Sequence, residues 1–423
     1  MQKKISVLRA ALICINSMIG AGLFINPKPL TQFAGAFGFV GYIIAGLVVL
    51  PLILSIAKLA TKHPVAGGLY VYSKTYLGGW AGFLSGWFYF VGKSASVAVL
   101  LHTFVNFFQH RSALLSSMPT LFLDFLMIFF LVGLNSAGVF VGGRVQYLFI
   151  ALKATPLLFA FGIGTVLFQP GNFYDVFNPV GILSTIPIAI FPMLGFEVIC
   201  AIANMIEDAE KNVGRVIIGS FFLVMTVTLA FQVCVFGVLG HQLGTASEPF
   251  MAMGLKMFSP MIASIVNGFV FASIIGACFS LLTSNCWNLH TIATHGHFPF
   301  KNILTRVNRF NVPWVALTGE ALVGCFLLSV TLDQVPLQNM AVFSQTIAYI
   351  LSALAAFVAV RLGAIQGFSL LIPAAACATG IFTIVLSTYR LAVSGVSLPF
   401  LILLASGIVL TFGYSRRSYH KNL

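Results

Sequence analysis

Apolar stretches of about twenty residues follow one another along the whole of this chain, and that pattern excludes most folds. A helix needs about 20 consecutive apolar residues to cross a bilayer core. Of the 423 residues, 59% are hydrophobic and 7% are charged, whereas globular domains carry roughly 25% charged residues. The sequence therefore predicts an all-α polytopic membrane protein, with no soluble domain of useful size between the runs. The length rule gives about twelve spans, near 7–27, 37–58, 78–105, 121–141, 145–168, 181–204, 214–240, 261–295, 313–332, 338–360, 367–389 and 394–413. No small-residue cleavage site follows the first run, so it is expected to be a membrane helix rather than a signal peptide.

The net charge of +13 has two readings: an anionic partner such as nucleic acid, or the loop bias of a membrane protein. Placing the N-terminus inside favours the second. Lys3, Lys4, Arg9, Lys58, Lys62, Lys74, Arg144, Lys211, Arg215, Lys301, Arg306, Arg309, Arg361, Arg416, Arg417 and Lys421 then fall on the cytoplasmic side. Only Lys28, Arg111, Lys256 and Arg390 fall outside, and Lys93 and Lys153 stay within the membrane. Cytoplasmic loops collect Lys and Arg, and an odd number of spans would scramble the sorting. Both termini are thus expected in the cytoplasm, with the plasma (bacterial inner) membrane as the location. The seven cysteines lie in apolar runs without metal-like spacing, so neither a disulfide framework nor a metal site is expected.

The first span contains Ser17-Met-Ile-Gly-Ala-Gly-Leu-Phe24, with Gly20 and Gly22 in its middle. Each glycine costs a helix about 1 kcal/mol relative to alanine. A break in lipid is tolerated only where it is buried in protein or lines a cavity. The sixth span repeats the interruption in Phe191-Pro-Met-Leu-Gly-Phe-Glu197, with Pro187 one turn earlier. Proline removes a main-chain donor and crowds the preceding turn. Spans one and six correspond if the first ten spans are two repeats of five. Paired interruptions in two halves point to a transporter site at mid-membrane depth. The alternative is that Gly and Pro serve packing alone.

At these residues the chain resembles the amino acid–polyamine–organocation superfamily. Residues 17–24 are similar to its G-[SA]-G-[IL]-F signature. Gly195-Phe-Glu197 with Asn204–Arg215 resembles its GFE…E…NP-x-[KR]-N-[VI]-P-[RK] stretch, with Asp208-Ala209 and Gly214 in place of NP and P. Pro64–Tyr70 and His295–Pro299 resemble the motifs that follow its second and eighth spans. The resemblance covers essentially the whole chain. It implies a leucine-transporter-type fold: a first five-helix repeat over 7–168, an inverted second over 181–360, discontinuous helices one and six, and two peripheral helices over 367–413. It also implies amino acids or related amines as substrates and, in proton-coupled members, a lysine like Lys153 in the place of a sodium ion between helices one, five and eight. A phenylalanine at the place of Phe191 resembles the aromatic lid of an arginine/agmatine antiporter of the superfamily, and plain packing is the other reading.

The physical reading runs beside it. N–H groups around Gly20, Ala21, Gly22 and Phe24, at the positive end of a half-helix, suit a carboxylate. Unwound carbonyls near Ile15, Ser17 and Met18, and near Pro192, Leu194 and Gly195, suit an ammonium group. A zwitterion satisfies both. Intramembrane charges are costly unless paired or wet. Lys153 is expected to act as a proton switch, bonding carbonyls near Asn16 or Ser17 and the hydroxyls of Ser280, Thr283 or Ser284. The alternative is snorkelling over two turns, about 11 Å. Glu197 either gates or handles protons, or it holds loosened backbone amides. Lys93 either pairs with Glu197, or contacts substrate and repels cationic side chains. Asp124, Glu320 and His102 are expected at the interfaces, and His290, His295 and His297 on a loop face.

No nucleophile elbow, Walker motif, HExxH, catalytic acid pair or selectivity-filter-like loop occurs. The expectation is a secondary transporter that uses protons or exchange, has no cofactor and is not an enzyme. The alternatives are a passive facilitator and a non-transporting amino acid sensor of the same fold. The oligomeric state is not legible.

Overall fold

Main-chain polar groups have no water partner in a bilayer core, so each apolar run must satisfy its own backbone, and a helix does that within one segment. The computed structural model bears this out. It describes residues 4–20, 22–65, 67–109, 111–137, 143–246, 248–298 and 300–421, with backbone alone at 143–150, 410, 411 and 413–421. Ala21 and Pro299, and the side chains of Arg144, Arg416, Arg417 and Lys421, lie outside the described residues. Among the described residues the regular structure is helical, apart from one isolated parallel bridge between Ile5 and Ile206.

Twelve apolar helical stretches can be labelled in chain order. They are α1 (Val7–Ile25), α2 (Pro27–Lys62), α3 (Gly79–Gln109), α4 (Thr120–Ser136), α5 (Gly143–Leu167), α6 (Pro179–Ala201), α7 (Ala209–Gly244), α8 (Pro260–Thr294), α9 (Trp314–Val330), α10 (Gln334–Arg361), α11 (Leu371–Val393) and α12 (Ser397–Lys421). Eight of them, α1, α2, α3, α6, α7, α8, α10 and α11, are long and apolar enough to cross a membrane. Of α4, α5, α9 and α12, the stretches searched with their side chains described, Thr120–Ser136, Ala151–Leu167, Trp314–Val330 and Ser397–Val409, are apolar helix as well. Each coincides with a stretch expected from the sequence.

The chain divides into two compact units. The first comprises residues 1–65 and 142–277, and so holds α1, α2, α5, α6, α7 and the start of α8. In it α7 packs on α2, α1 and α5, and α6 packs on α2. Small residues admit these approaches: Gly41 of α2 faces Thr185 of α6, and Gly46 of α2 faces Met225 of α7. The bridge closes one end of this unit. Ile5 N–H donates to the Met205 carbonyl at 2.7 Å, and Glu207 N–H donates to the Ile5 carbonyl at 3.0 Å.

The second unit comprises 66–141 and 278–423. Its centre is α3, packed on α10 and α9. A Cβ at Gly92 of α3 would lie 3.0 Å from the Ala341 carbonyl of α10, so glycine sets how closely those two helices approach.

Candidate functional site

The first unit carries both interrupted helices. The first half of α1 ends at Met18 and helix resumes at Gly22. Gly20 N–H turns back to the Met18 carbonyl at 2.7 Å instead of continuing the ladder to Asn16. The Ile15 carbonyl keeps its helical bond from Ile19 N–H at 2.7 Å, whereas the Asn16 carbonyl does not receive Gly20 N–H; the first N–H groups of a resumed helix have no acceptor within that helix. Gly20 itself is sterically open, with only the Met18 carbonyl 4.0 Å from where a Cβ would sit.

The interruption in α6 is deeper. Regular helix stops at Ile190, a single tight turn covers Phe191–Met193, Leu194 is extended, and helix resumes at Val198. Gly195 has φ of +115°, a conformation that residues with a Cβ rarely adopt. A Cβ there would meet the Ser17 carbonyl oxygen at 2.7 Å. The two breaks thus touch through bare main chain. A second contact lies one turn away: a Cβ at Gly22 would meet the Phe191 ring at 2.9 Å and Pro192 at 3.1 Å. Asn26 closes this side, its side-chain amide donating to the Ile188 carbonyl at 2.7 Å.

Two charged groups serve these breaks. Glu197 is buried and its Oε2 accepts from Gly195 N–H at 2.9 Å, which is the role of holding a loosened amide. Lys153 of α5 is 5% exposed. Its Nζ donates to the Asn16 carbonyl and to Asn16 Oδ1, both at 2.7 Å. The helix begins at Gly143, so Lys153 lies about 15 Å in at 1.5 Å per residue. It turns toward α1 and does not snorkel.

The other residues singled out in the sequence belong to the second unit. Lys93 is buried in α3, its ammonium 5.3 Å from the Tyr89 ring centroid. Thr283 pairs with the Asn135 side chain. Ser284 is exposed and bonds its own helix at Leu281, and Ser280 is half-buried. Ile15 and Ser17 are half-buried in the first unit, whereas Met18, Leu194 and Pro192 are buried.

Asp124, Glu320 and His102, expected near the membrane interfaces, are enclosed by protein. Asp124 is 0% exposed and Glu320 1%, and His102 is buried as well. Asp124 Oδ2 lies 2.7 Å from His102 Nδ1, and His102 Nε2 lies 2.7 Å from the Asn106 amide. Glu320 Oε1 accepts from Asn285 at 3.0 Å, and the same amide reaches the Phe90 carbonyl. These polar groups face the interior of the second unit, where they find one another; buried polar groups are normally hydrogen-bonded.

The histidine loop is half-expected. His295 is exposed, but the His297 Nε2 meets the Tyr70 hydroxyl at 2.9 Å. Burial pushes His297 down to about 4, with His295 and Lys74 adding to the shift, and burial pushes Tyr70 up to about 12. A histidine lowered by folding binds fewer protons in the native state between about 4 and its ordinary value. Stability therefore rises with pH across that window and is lost as pH falls through it. The melting temperature of His297→Gln is expected to fall less than that of the wild type between pH 6.5 and 4 (a window set by ordinary and shifted values of roughly 6.5 and 4). Equal slopes would show that His297 contributes nothing to the pH dependence. No group of His, Cys, Asp and Glu that could hold a metal occurs among the described residues.

Interrupted helices that meet through unwound main chain, within an all-helical membrane protein, mark a transporter rather than an anchor. The chain belongs to the amino acid permease family, whose model matches residues 5–418. The lysine-specific permease LysP of Lactococcus lactis subsp. cremoris is 23% identical over 350 residues, which is 76% of this chain and 68% of that one. The serine/threonine exchanger SteT of Bacillus subtilis is 22% identical over 373 residues, 85% of this chain and 83% of the relative. A solved mutant of the Eremococcus coleocola manganese transporter superposes with a TM-score of 0.59 at 14% identity, covering 96% of this chain and 94% of the other. That likeness is one of fold, and the expected leucine-transporter-type fold stands. The family and its members place the chain among multi-pass membrane transporters of amino acids.

Proposed function

We propose that the chain is a secondary active transporter that moves an amino acid or related amine by alternating access and couples the movement to protons, as symport or exchange. One observation carries the reading: the Lys153 ammonium is held by both oxygens of Asn16, two residues before α1 breaks. A titratable cation at that place links proton occupancy to the conformation of the break. Donors of the turn at Gly22–Phe24 would receive the carboxylate of a zwitterion, and the unwound carbonyls of Ser17, Met18, Pro192 and Leu194 its ammonium. Phe191, lying against Gly22, would close over the ligand. Both termini would lie in the cytoplasm and the repeats would run over 7–168 and 181–360.

Reconstitution tests this. Proteoliposomes with an inward proton gradient are expected to accumulate amino acid above the external level and to lose that accumulation when a protonophore is added. Flux that follows the substrate gradient alone at every pH difference overturns proton coupling. Counterflow separates the carrier from the facilitator and the sensor: preloaded substrate accelerates uptake by a carrier only. Lys93 adds an expectation of its own, since a buried ammonium disfavours cationic solutes. Strong inhibition of uptake by arginine or lysine removes that role.

A further inference from the structure

Lys153 was expected to meet carbonyls near Asn16 or Ser17 and the hydroxyls of Ser280, Thr283 or Ser284. The structure adds a side chain. Asn16 lies in the last turn of the Val7–Met18 helix and is 9% exposed. An amide buried in a membrane helix is expensive unless bonded. The N–H that would ordinarily reach its carbonyl, that of Gly20, goes to Met18 instead, and the Lys153 ammonium donates to that carbonyl. Asn16 thus presents two oxygens at one point, its carbonyl and its Oδ1, and the Lys153 Nζ sits 2.7 Å from each. The point is also a helix C-terminus, where the macrodipole favours a cation.

We infer that the Asn16 side chain is a positioning residue for coupling: its Oδ1 and carbonyl together clamp the Lys153 ammonium and set the pH at which the switch works. The inference rests on the proton-coupled reading above and deepens it. Lys153 releases one proton to water and becomes a neutral amine; taking one proton back from water restores the ammonium. Bonds from a charged donor are roughly twice as strong as neutral ones, so the clamp holds Asn16 firmly in the protonated state and loosely in the neutral one. The next residue, Ser17, is the one whose carbonyl abuts Gly195 of α6, and the Gly195 N–H is held by Glu197. Lys153, Asn16, Ser17, Gly195 and Glu197 therefore form one contiguous series within the first unit. A loosened Asn16 frees the contact between the two breaks.

Other ionisable groups do not replace Asn16 at this place. The elements packed on α5 in its unit are α7, the short helix Pro249–Leu255 and α1. Their titratable or charged side chains are Glu210, Lys211, Arg215, Cys234 and His241 on α7, none on Pro249–Leu255, and Arg9 and Cys14 on α1, with Glu197 at the α6 break; His241 lies at the far end of α7, beside Asp175. Cys234 bonds the Ala160 carbonyl, and Cys14 lies against Met18 and the Phe196 carbonyl.

The test uses the full chain in proteoliposomes. Initial uptake of a radiolabelled mixture of protein amino acids is measured against external pH for the wild type, Asn16→Asp and Asn16→Leu. Asn16→Asp places a fixed negative charge on the lysine, and its midpoint is expected about 1–3 pH units higher. Asn16→Leu keeps the bulk and removes one acceptor, and its midpoint is expected about one unit lower. A purely structural asparagine would change rate and melting temperature without moving the midpoint. Should Asn16→Leu fail to fold, the Asn16→Asp midpoint decides alone. A sloped wild-type curve with both variants on the same midpoint overturns the inference and leaves proton coupling standing. A flat wild-type curve overturns proton coupling and the inference with it.

Discussion

Gly195→Ala is expected to cut amino acid uptake by about 100-fold or more in a protein that still inserts and purifies. The residue sits at φ +115°, and forcing a side chain into such a backbone costs on the order of 1–3 kcal/mol. The new Cβ would stand 2.7 Å from the Ser17 carbonyl oxygen. That neighbour is backbone, not the end of a flexible chain, and overpacking of this kind typically costs a further 1–3 kcal/mol. The strain is relieved by pushing the two breaks apart, which dismantles the proposed ligand site. Uptake and the ligand-induced rise in melting temperature should fall together. Gly20→Ala is the internal control, because space there is open, and it should change uptake only a few-fold. Near-normal transport by Gly195→Ala would mean that the contact between the breaks is not part of the site.

Lys153→Met should abolish proton-driven accumulation altogether. The side chain is similar in length and apolar, so packing around α5 is largely kept, while the donor to both Asn16 oxygens is gone. With one proton per substrate, each pH unit across the membrane sustains about a tenfold substrate gradient, since 1.36 kcal/mol is a factor of ten. Two units should therefore give about a hundredfold accumulation in the wild type and none in the variant. Lys153→Arg should fail in the same way, because guanidinium keeps its proton at any accessible pH. Accumulation that survives in either variant places the proton site elsewhere.

Both interruptions were legible in the sequence because glycine and proline act locally: Gly20, Gly22, Pro192 and Gly195 need no knowledge of neighbours to mark weak helix. Lys153 was legible for the same reason, as a charge that lipid does not tolerate alone. Its side-chain partner was not. Nothing in the spacing of Asn16 says which helix its face meets, and Gly20 N–H is seen to turn to Met18, away from the Asn16 carbonyl, only in the structure. The burial and partners of Asp124, His102 and Glu320 were not legible for a related reason. Nearness to a span end can be counted along the chain, but burial depends on which helices surround it, and the pairing of Asp124 with His102 joins α4 to α3. The pairing of the Thr283 hydroxyl with Asn135 of α4 was likewise not legible in the spacing.

The parallel bridge at Ile5 stitches the chain's leading end to the segment that follows α6. With two main-chain bonds in that seam, a swing of α1 by itself would first have to unpick it. Trimming the polypeptide past Ile5 would remove both bonds of the stitch.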